Sequence, residues 1–134
     1  MRGRGCGFPV SLLVCVWASV AAAVEVPVPS GQPVSLNEVL LDTAPGELWV
    51  RFRFIAPHIA RETGLVSYQQ AGPDMDALCQ DVALPYLDHH EIEAARVVIS
   101  LSDQRLPFGS KDRTATQFFE AYRPENEACI WEEF

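Results

Sequence analysis

Residues 48–55 read LWVRFRFI, and their side chains alternate between purely apolar and mixed character. Successive side chains of a β-strand point to opposite faces, so this period of two predicts a half-buried strand with one polar face. One predicted face carries Leu48, Val50, Phe52 and Phe54. The other carries Trp49, Arg51, Arg53 and Ile55. The segment therefore predicts a sheet with a buried side and a solvated side.

Further strands are predicted on either side of a helical region. Residues 96–101 read RVVISL, a β-prone run that is typical of a central strand. Residues 117–123 and 128–131 predict a hairpin around the PENE sequence of residues 124–127, with a helix over residues 114–122 as the open alternative. A short additional strand is predicted over residues 65–70.

One main helix is predicted between these strands. Pro73 suits a first helical position, and Asp74 and Asp76 would lie in the first turn, where carboxylates favour the positive end of the helix dipole. Pro85 is expected to end or kink the helix. Apolar residues at helical spacing form one stripe: Met75, Leu78, Cys79, Val82 and Tyr86.

The N-terminal segment has the three parts of a secretory signal peptide. Arg2 and Arg4 precede an apolar run, and three alanines at positions 21–23 follow it, which predicts cleavage after Ala23. A retained membrane anchor is the weaker alternative, because the run is shorter than the roughly 20 residues that span a bilayer. We expect a periplasmic or secreted protein with no stable membrane span after cleavage.

Three regions follow from these patterns. A signal peptide covers residues 1–23, an extended leader with a short helical turn covers residues 24–46, and a single α+β domain covers residues 47–134. The leader is rich in proline, and Ser35 with Glu38 three positions later resembles a capping box, which predicts the helical turn.

Cleavage would leave two cysteines, Cys79 and Cys129. An even pair in an oxidising compartment predicts a disulfide, which stabilises the fold by about 4 kcal/mol in the chain-entropy model for a loop of this length. The expected fold class is α+β: a small, mostly antiparallel sheet with one main helix packed on it, tied by one disulfide.

The charge balance restricts the partners. The chain has 10 basic and 18 acidic residues, and cleavage removes Arg2 and Arg4, which leaves 8 − 18 = −10. Such a domain is repelled by nucleic acid phosphates and is attracted, if anywhere, to a basic protein partner or to cations.

Two weak candidate sites stand out. Trp49, Arg51 and Arg53 share one strand face and suggest an anion or aromatic-ligand patch. The favoured interpretation is a solvated face whose arginines pair with acidic neighbours. His89 and His90 suggest a metal site, but adjacent histidines point about 100° apart on a helix, so they would need help, for example from His58. A solvated loop is the alternative.

No catalytic residue or cofactor is assigned from the sequence. The nucleophile elbow Gly-x-Ser-x-Gly and the glycine-rich phosphate loops are missing from the region after residue 23. A hydrolytic enzyme would require a concave pocket with convergent titratable groups.

Several segments together resemble a known family. They are RVVISLSD at 96–103, PFG at 107–109, ATQFFEAYR at 115–123 and ACIWE at 128–132. They resemble an uncharacterised domain-of-unknown-function family of short exported alphaproteobacterial proteins. The resemblance implies export and a single small domain, and no catalytic residues are carried over from it.

The leading hypothesis is a non-enzymatic periplasmic interaction module, an accessory or inhibitor of a basic partner. The alternative is a small-ligand or metal binder that uses the arginine patch or the histidines. The sequence does not define the oligomeric state.

Overall fold

The computed structural model describes residues 24–133 and contains one five-stranded sheet with a long helix packed on it. The strands are β1 (Ser35–Asp42), β2 (Trp49–Ile55), β3 (Arg96–Ser102), β4 (Gln117–Glu125) and β5 (Ala128–Glu132). The predicted signal peptide lies outside the described residues. The predicted α+β class, with its mostly antiparallel sheet and single main helix, is confirmed.

The strands lie in the sheet in the same order as in the chain. Only β2 and β3 are parallel, whereas the other three pairs are antiparallel. A parallel pair needs a long crossover, and here residues 56–95 supply it with the helix. The starts of β2 and β3 therefore lie at one end of the sheet, and their C-terminal ends lie at the other.

The predicted alternation of residues 48–55 is confirmed. Val50, Phe52 and Phe54 are buried, while the residues between them are partly exposed. Phe52 contacts the Tyr86 ring edge to face, with the centroids 5.4 Å apart. We call the sheet surface that faces the helix the inner face and the opposite surface the outer face.

The main helix spans residues 68–89 in three continuous segments. These are α1 (Tyr68–Leu78), a π-helical turn (Cys79–Ala83) and α2 (Leu84–His89). Its buried side meets the inner face through Ala71, Met75, Leu78, Cys79, Ala83 and Leu87.

The helix starts earlier than predicted and passes both prolines. Ser67 accepts from the Gln70 N–H, and Gln70 accepts from the Ser67 N–H, so a capping box begins the helix and Pro73 lies inside it. The expected start at Pro73 and the expected strand over residues 65–70 are therefore wrong. Pro85 follows the π-helical turn, in which the Leu84 N–H bonds back to the Cys79 carbonyl. The wider turn lets the helix continue through a residue that has no N–H.

The expected helical turn after Ser35 is also wrong, because those residues form β1. Glu38 does not cap a helix. It pairs across the strands with Arg53, next to a register shift between Leu36 and Glu38. Pairing with β2 satisfies the backbone and overrides the local helix signal.

The segment before β1 folds back onto the domain. The Val26 N–H donates to the Val34 carbonyl at 2.7 Å, and Val34 and Gln32 are buried. The buried Asp74 carboxylate of α1 accepts from the Ser30 N–H at 2.8 Å and from Gln32 Nε2 at 2.7 Å. A helix carboxylate thus anchors this segment.

The C-terminal hairpin and the disulfide are confirmed. The two-residue turn between β4 and β5 has Asn126 and Glu127 at φ of 51° and 61°, as a type I′ turn requires. Cys79 and Cys129 are bonded, with their Cα atoms 6.3 Å apart, and link the main helix to β5. Within residues 24–133, no helix combines the length and apolar character needed to cross a bilayer.

Candidate binding surfaces

The predicted aromatic and arginine patch lies on the outer face. Trp49, Arg51 and Arg53 project from alternate positions of β2, opposite the buried side. The shared face is therefore confirmed, and ligand binding by these residues stays a prediction.

Both arginines are held by acidic residues of β1. Arg51 Nε lies 2.9 Å from Asp42 Oδ2, and Arg53 pairs with Glu38. A hydrogen bond from the Ala44 N–H and the adjacent Arg51 guanidinium lower the pKa of Asp42 below its ordinary value. The sequence interpretation in which these arginines pair with acidic neighbours therefore agrees with the structure.

Phe108 adds a feature that the sequence did not predict. The loop after β3 crosses the outer face, and the Phe108 ring lies 5.5 Å from the Arg51 guanidinium carbon and 5.6 Å from that of Arg53. The centroid of the Trp49 ring lies 5.6 Å from the same Arg51 carbon. Cation–π contacts of this kind orient guanidinium groups that ion pairs already restrain.

A tight turn presents Phe108 to the sheet. The Ser110 N–H donates to the Pro107 carbonyl at 3.0 Å, and Gly109 has a φ of +81° at the third turn position. A positive φ at that position is the mark of a type II turn and favours glycine. Arg53 Nη2 fixes the loop further by donating to the Leu106 carbonyl at 2.9 Å.

The loop and the sheet form a partly open cavity of about 170 Å³. Val98, which is only 2% exposed, lies among its lining residues. The lining comprises Arg51, Arg53, Val98, Ser100, Pro107, Phe108, Gly109, Ser110, Gln117 and Phe119. Its charged residues are both positive, in contrast to the acidic chain as a whole.

A second concave surface lies at the end of the sheet where β3 begins. This groove has a volume of about 680 Å³ and runs between α2, the loop before β3 and the β4–β5 turn. Its apolar lining comes from Leu84, Pro85, Leu87, Ile92, Ala94 and Pro124. Its charged lining residues are Asp88, Glu93 and Glu127.

These three carboxylates make no ion pair or side-chain hydrogen bond with any residue between 24 and 133. The nearby arginines of the sheet are occupied, because Glu132 accepts Arg96 at 2.6 Å and Arg123 at 2.9 Å. We call this concave surface the acidic groove.

The predicted metal residues are only partly brought together. His89 ends α2 and His90 follows it, with their ring centroids 4.9 Å apart at a steep angle. His58 follows β2 at the opposite end of the sheet, so it does not join them. No group of three or more metal-ligating side chains occurs in the described part of the chain. Metal binding by His89 and His90 stays a prediction.

The inner face holds a polar cluster that sequence reasoning missed. The Tyr122 hydroxyl donates to Asp76 Oδ1 at 2.6 Å, and Glu120 accepts from Trp131 Nε1 at 2.6 Å and from the Tyr68 hydroxyl. Burial, and then the bond to Asp76, raise the pKa of Tyr122 well above its ordinary value. The period-two pattern of β4 places Glu120 and Tyr122 on the same side, and this was the available signal.

The fold defines a small, disulfide-linked α+β domain with a mixed sheet, and the outer-face cavity and the acidic groove lie on different parts of it. The chain belongs to the family of unknown function DUF6497, whose model matches residues 13–134. No curated protein and no solved structure matched the chain significantly.

Proposed function

We propose that the chain is a non-enzymatic interaction module that works outside the cytoplasm and binds a basic segment of a partner protein through the acidic groove. The observation that carries the proposal is a set of three carboxylates that have no partner among residues 24–133. They lie on an apolar concavity to which this part of the chain contributes no basic lining residue. The disulfide supports a location with oxidising conditions.

Three basic side chains that form no ion pair in the described part of the chain lie away from the acidic groove, so they do not compete with a cationic partner for it. Arg105, Lys111 and Arg113 belong to the loop after β3, at the end opposite the acidic groove, and make no ion pair within the described ranges. Complementary potentials steer a cationic partner toward the acidic end and raise the association rate.

The apolar lining lets the groove bind apolar side chains as well as charged ones. Leu84 and Ile92 are partly buried and border the carboxylates. A segment that alternates basic and apolar residues would bury apolar side chains here and place its cations against Asp88, Glu93 and Glu127.

Calorimetry with two short capped peptides tests the proposal. One peptide alternates lysine with leucine, and the other alternates glutamate with leucine. We expect only the lysine peptide to bind. The triple variant Asp88→Asn, Glu93→Gln, Glu127→Gln should bind it about tenfold more weakly, since three exposed charge pairs of about 0.5 kcal/mol each are lost.

The matched control is Glu25→Gln, Glu62→Gln, Glu133→Gln, which removes the same charge from exposed carboxylates outside the groove. This control should retain the affinity. Equal losses in both triple variants would show attraction to net charge alone and would refute the groove, as would no binding at low salt.

A further inference from the structure

We propose that the outer-face cavity is a binding site for a small organic anion with a flat, apolar body, such as an aromatic carboxylate. This inference is independent of the acidic groove. It rests on the shape of the cavity, on the sign of its charges and on polar groups that have no partner among the residues that the structure describes.

The cavity is built for a flat apolar group. Phe108 and Phe119 are 57% and 47% exposed, which is unusual for two phenylalanines that line the same cavity. Val98 supplies a buried apolar surface between them on the sheet. A cavity of about 170 Å³ has room for one ring with a short substituent.

The charged lining specifies an anion. Asp42 and Glu38 hold the arginines from β1 but do not line the cavity themselves. Arg51 uses Nε for Asp42, and its two terminal nitrogens donate to no residue among 24–133. A guanidinium fork with free terminal N–H groups matches a carboxylate, sulfonate or phosphate.

Neutral polar side chains complete the site. The Ser100 and Ser110 hydroxyls and the Gln117 amide line the cavity and have no hydrogen-bond partner within the described chain. A few polar groups placed around an apolar body are the usual composition of a small-molecule site. The contacts of Arg51 and Arg53 with Asp42, Glu38 and Phe108 also hold the site in place before a ligand arrives.

The test is a titration followed by backbone amide NMR, with benzoate and the neutral benzyl alcohol as probes. We expect saturable benzoate shifts at Ser100, Phe108, Gly109 and Gln117, and affinity for benzyl alcohol weaker by about tenfold, since a charge-assisted hydrogen bond is lost.

Three variants separate the site from general charge effects. Arg51→Gln and Phe108→Ala should weaken benzoate binding about tenfold or more. Arg123→Gln also removes an outer-face arginine with its ion pair to Glu132, but outside the cavity, and should bind normally. Phe108 is exposed, so its truncation keeps the test independent of folding.

Several results would overturn the inference. These are shifts outside the cavity, equal affinity for benzoate and benzyl alcohol, or equal losses in Arg51→Gln and Arg123→Gln. Absence of saturable shifts would overturn it too, whatever the lysine peptide does at the acidic groove.

Discussion

The Tyr122 hydroxyl donates to Asp76 Oδ1 at 2.6 Å and joins β4 to the first helical segment. The Tyr122 side chain is almost completely buried, and its hydroxyl reaches a carboxylate of an otherwise exposed residue. A buried phenol needs such a partner, because an unsatisfied hydroxyl costs about 1–3 kcal/mol.

Alkaline stability should depend on Tyr122. The pKa of Tyr122 in the folded state is raised above the ordinary value of 10.0. The contribution of this group to the free energy of unfolding is therefore fully present below about pH 10. As the pH rises further, the unfolded chain ionises first and stability falls by about 1.4 kcal/mol per pH unit. Tyr122→Phe should therefore flatten the alkaline limb of the stability profile, measured by urea unfolding from pH 7 to about 11.

Tyr86→Phe is the matched control. It removes a hydroxyl that has no hydrogen-bond partner in the described part of the chain, and it should leave the alkaline limb as steep as in the parent. If both variants gave the parent slope, the account of Tyr122 would be wrong.

Loss of the disulfide should destabilise the domain strongly. The bond closes a loop between residues 79 and 129, so the double variant Cys79→Ala, Cys129→Ala should lose about 4 kcal/mol in free energy of unfolding. Urea unfolding with and without a reductant measures this loss. The reductant should lower the midpoint of the parent only, and a parent indifferent to it would contradict the prediction.

The anchoring of the N-terminal segment by Asp74 is a third prediction. Asp74→Ala leaves the Ser30 and Gln32 donors without their acceptor, which should cost about 2–4 kcal/mol. Hydrogen exchange at residues 30–34 should accelerate more than exchange in β3. Asp81→Ala, at an exposed carboxylate of the same helix, is the control, and equal losses in the two variants would argue against the anchor.

Pro73 offers a stabilising change. It lies inside α1, where it has no N–H to donate, and its side chain is exposed. Pro73→Ala should raise the free energy of unfolding by about 1 kcal/mol, because the regained helical bond exceeds the added freedom of the unfolded chain. Thermal unfolding shows whether stability rises or falls. A lower midpoint would show that the restriction of the unfolded chain by the proline ring outweighs the missing helical hydrogen bond.

The parts of the fold that were predictable are those with a strong local pattern. Residues 48–55 and 96–101 identified β2 and β3, because alternation and β-prone side chains act within a few residues. The hairpin was identified by its turn. The start of the helix was not, since Pro73 resembles a first helical residue and the capping box of Ser67 and Gln70 lies six and three residues before it.

The missed features depend on distant residues. β1 carries a local helix signal at Ser35 and Glu38 that pairing with β2 overrides. The sequence grouped Trp49, Arg51 and Arg53, but only the folded loop brings Phe108 to them. Asp88 and Glu127 likewise line the same groove although they are far apart in the sequence, so no local pattern predicts that they lie close together.

The sequential strand order has a consequence for the folding rate. The pairs β1–β2, β3–β4 and β4–β5 join consecutive strands, whereas β2 and β3 must find each other across residues 56–95. Distant contacts are slow to form, because the entropy of closing the intervening loop is lost before any pairing compensates it. We therefore expect the β1–β2 pair and the β3–β5 strands to form first, each from local contacts. Pairing of β2 with β3 should then limit the folding rate.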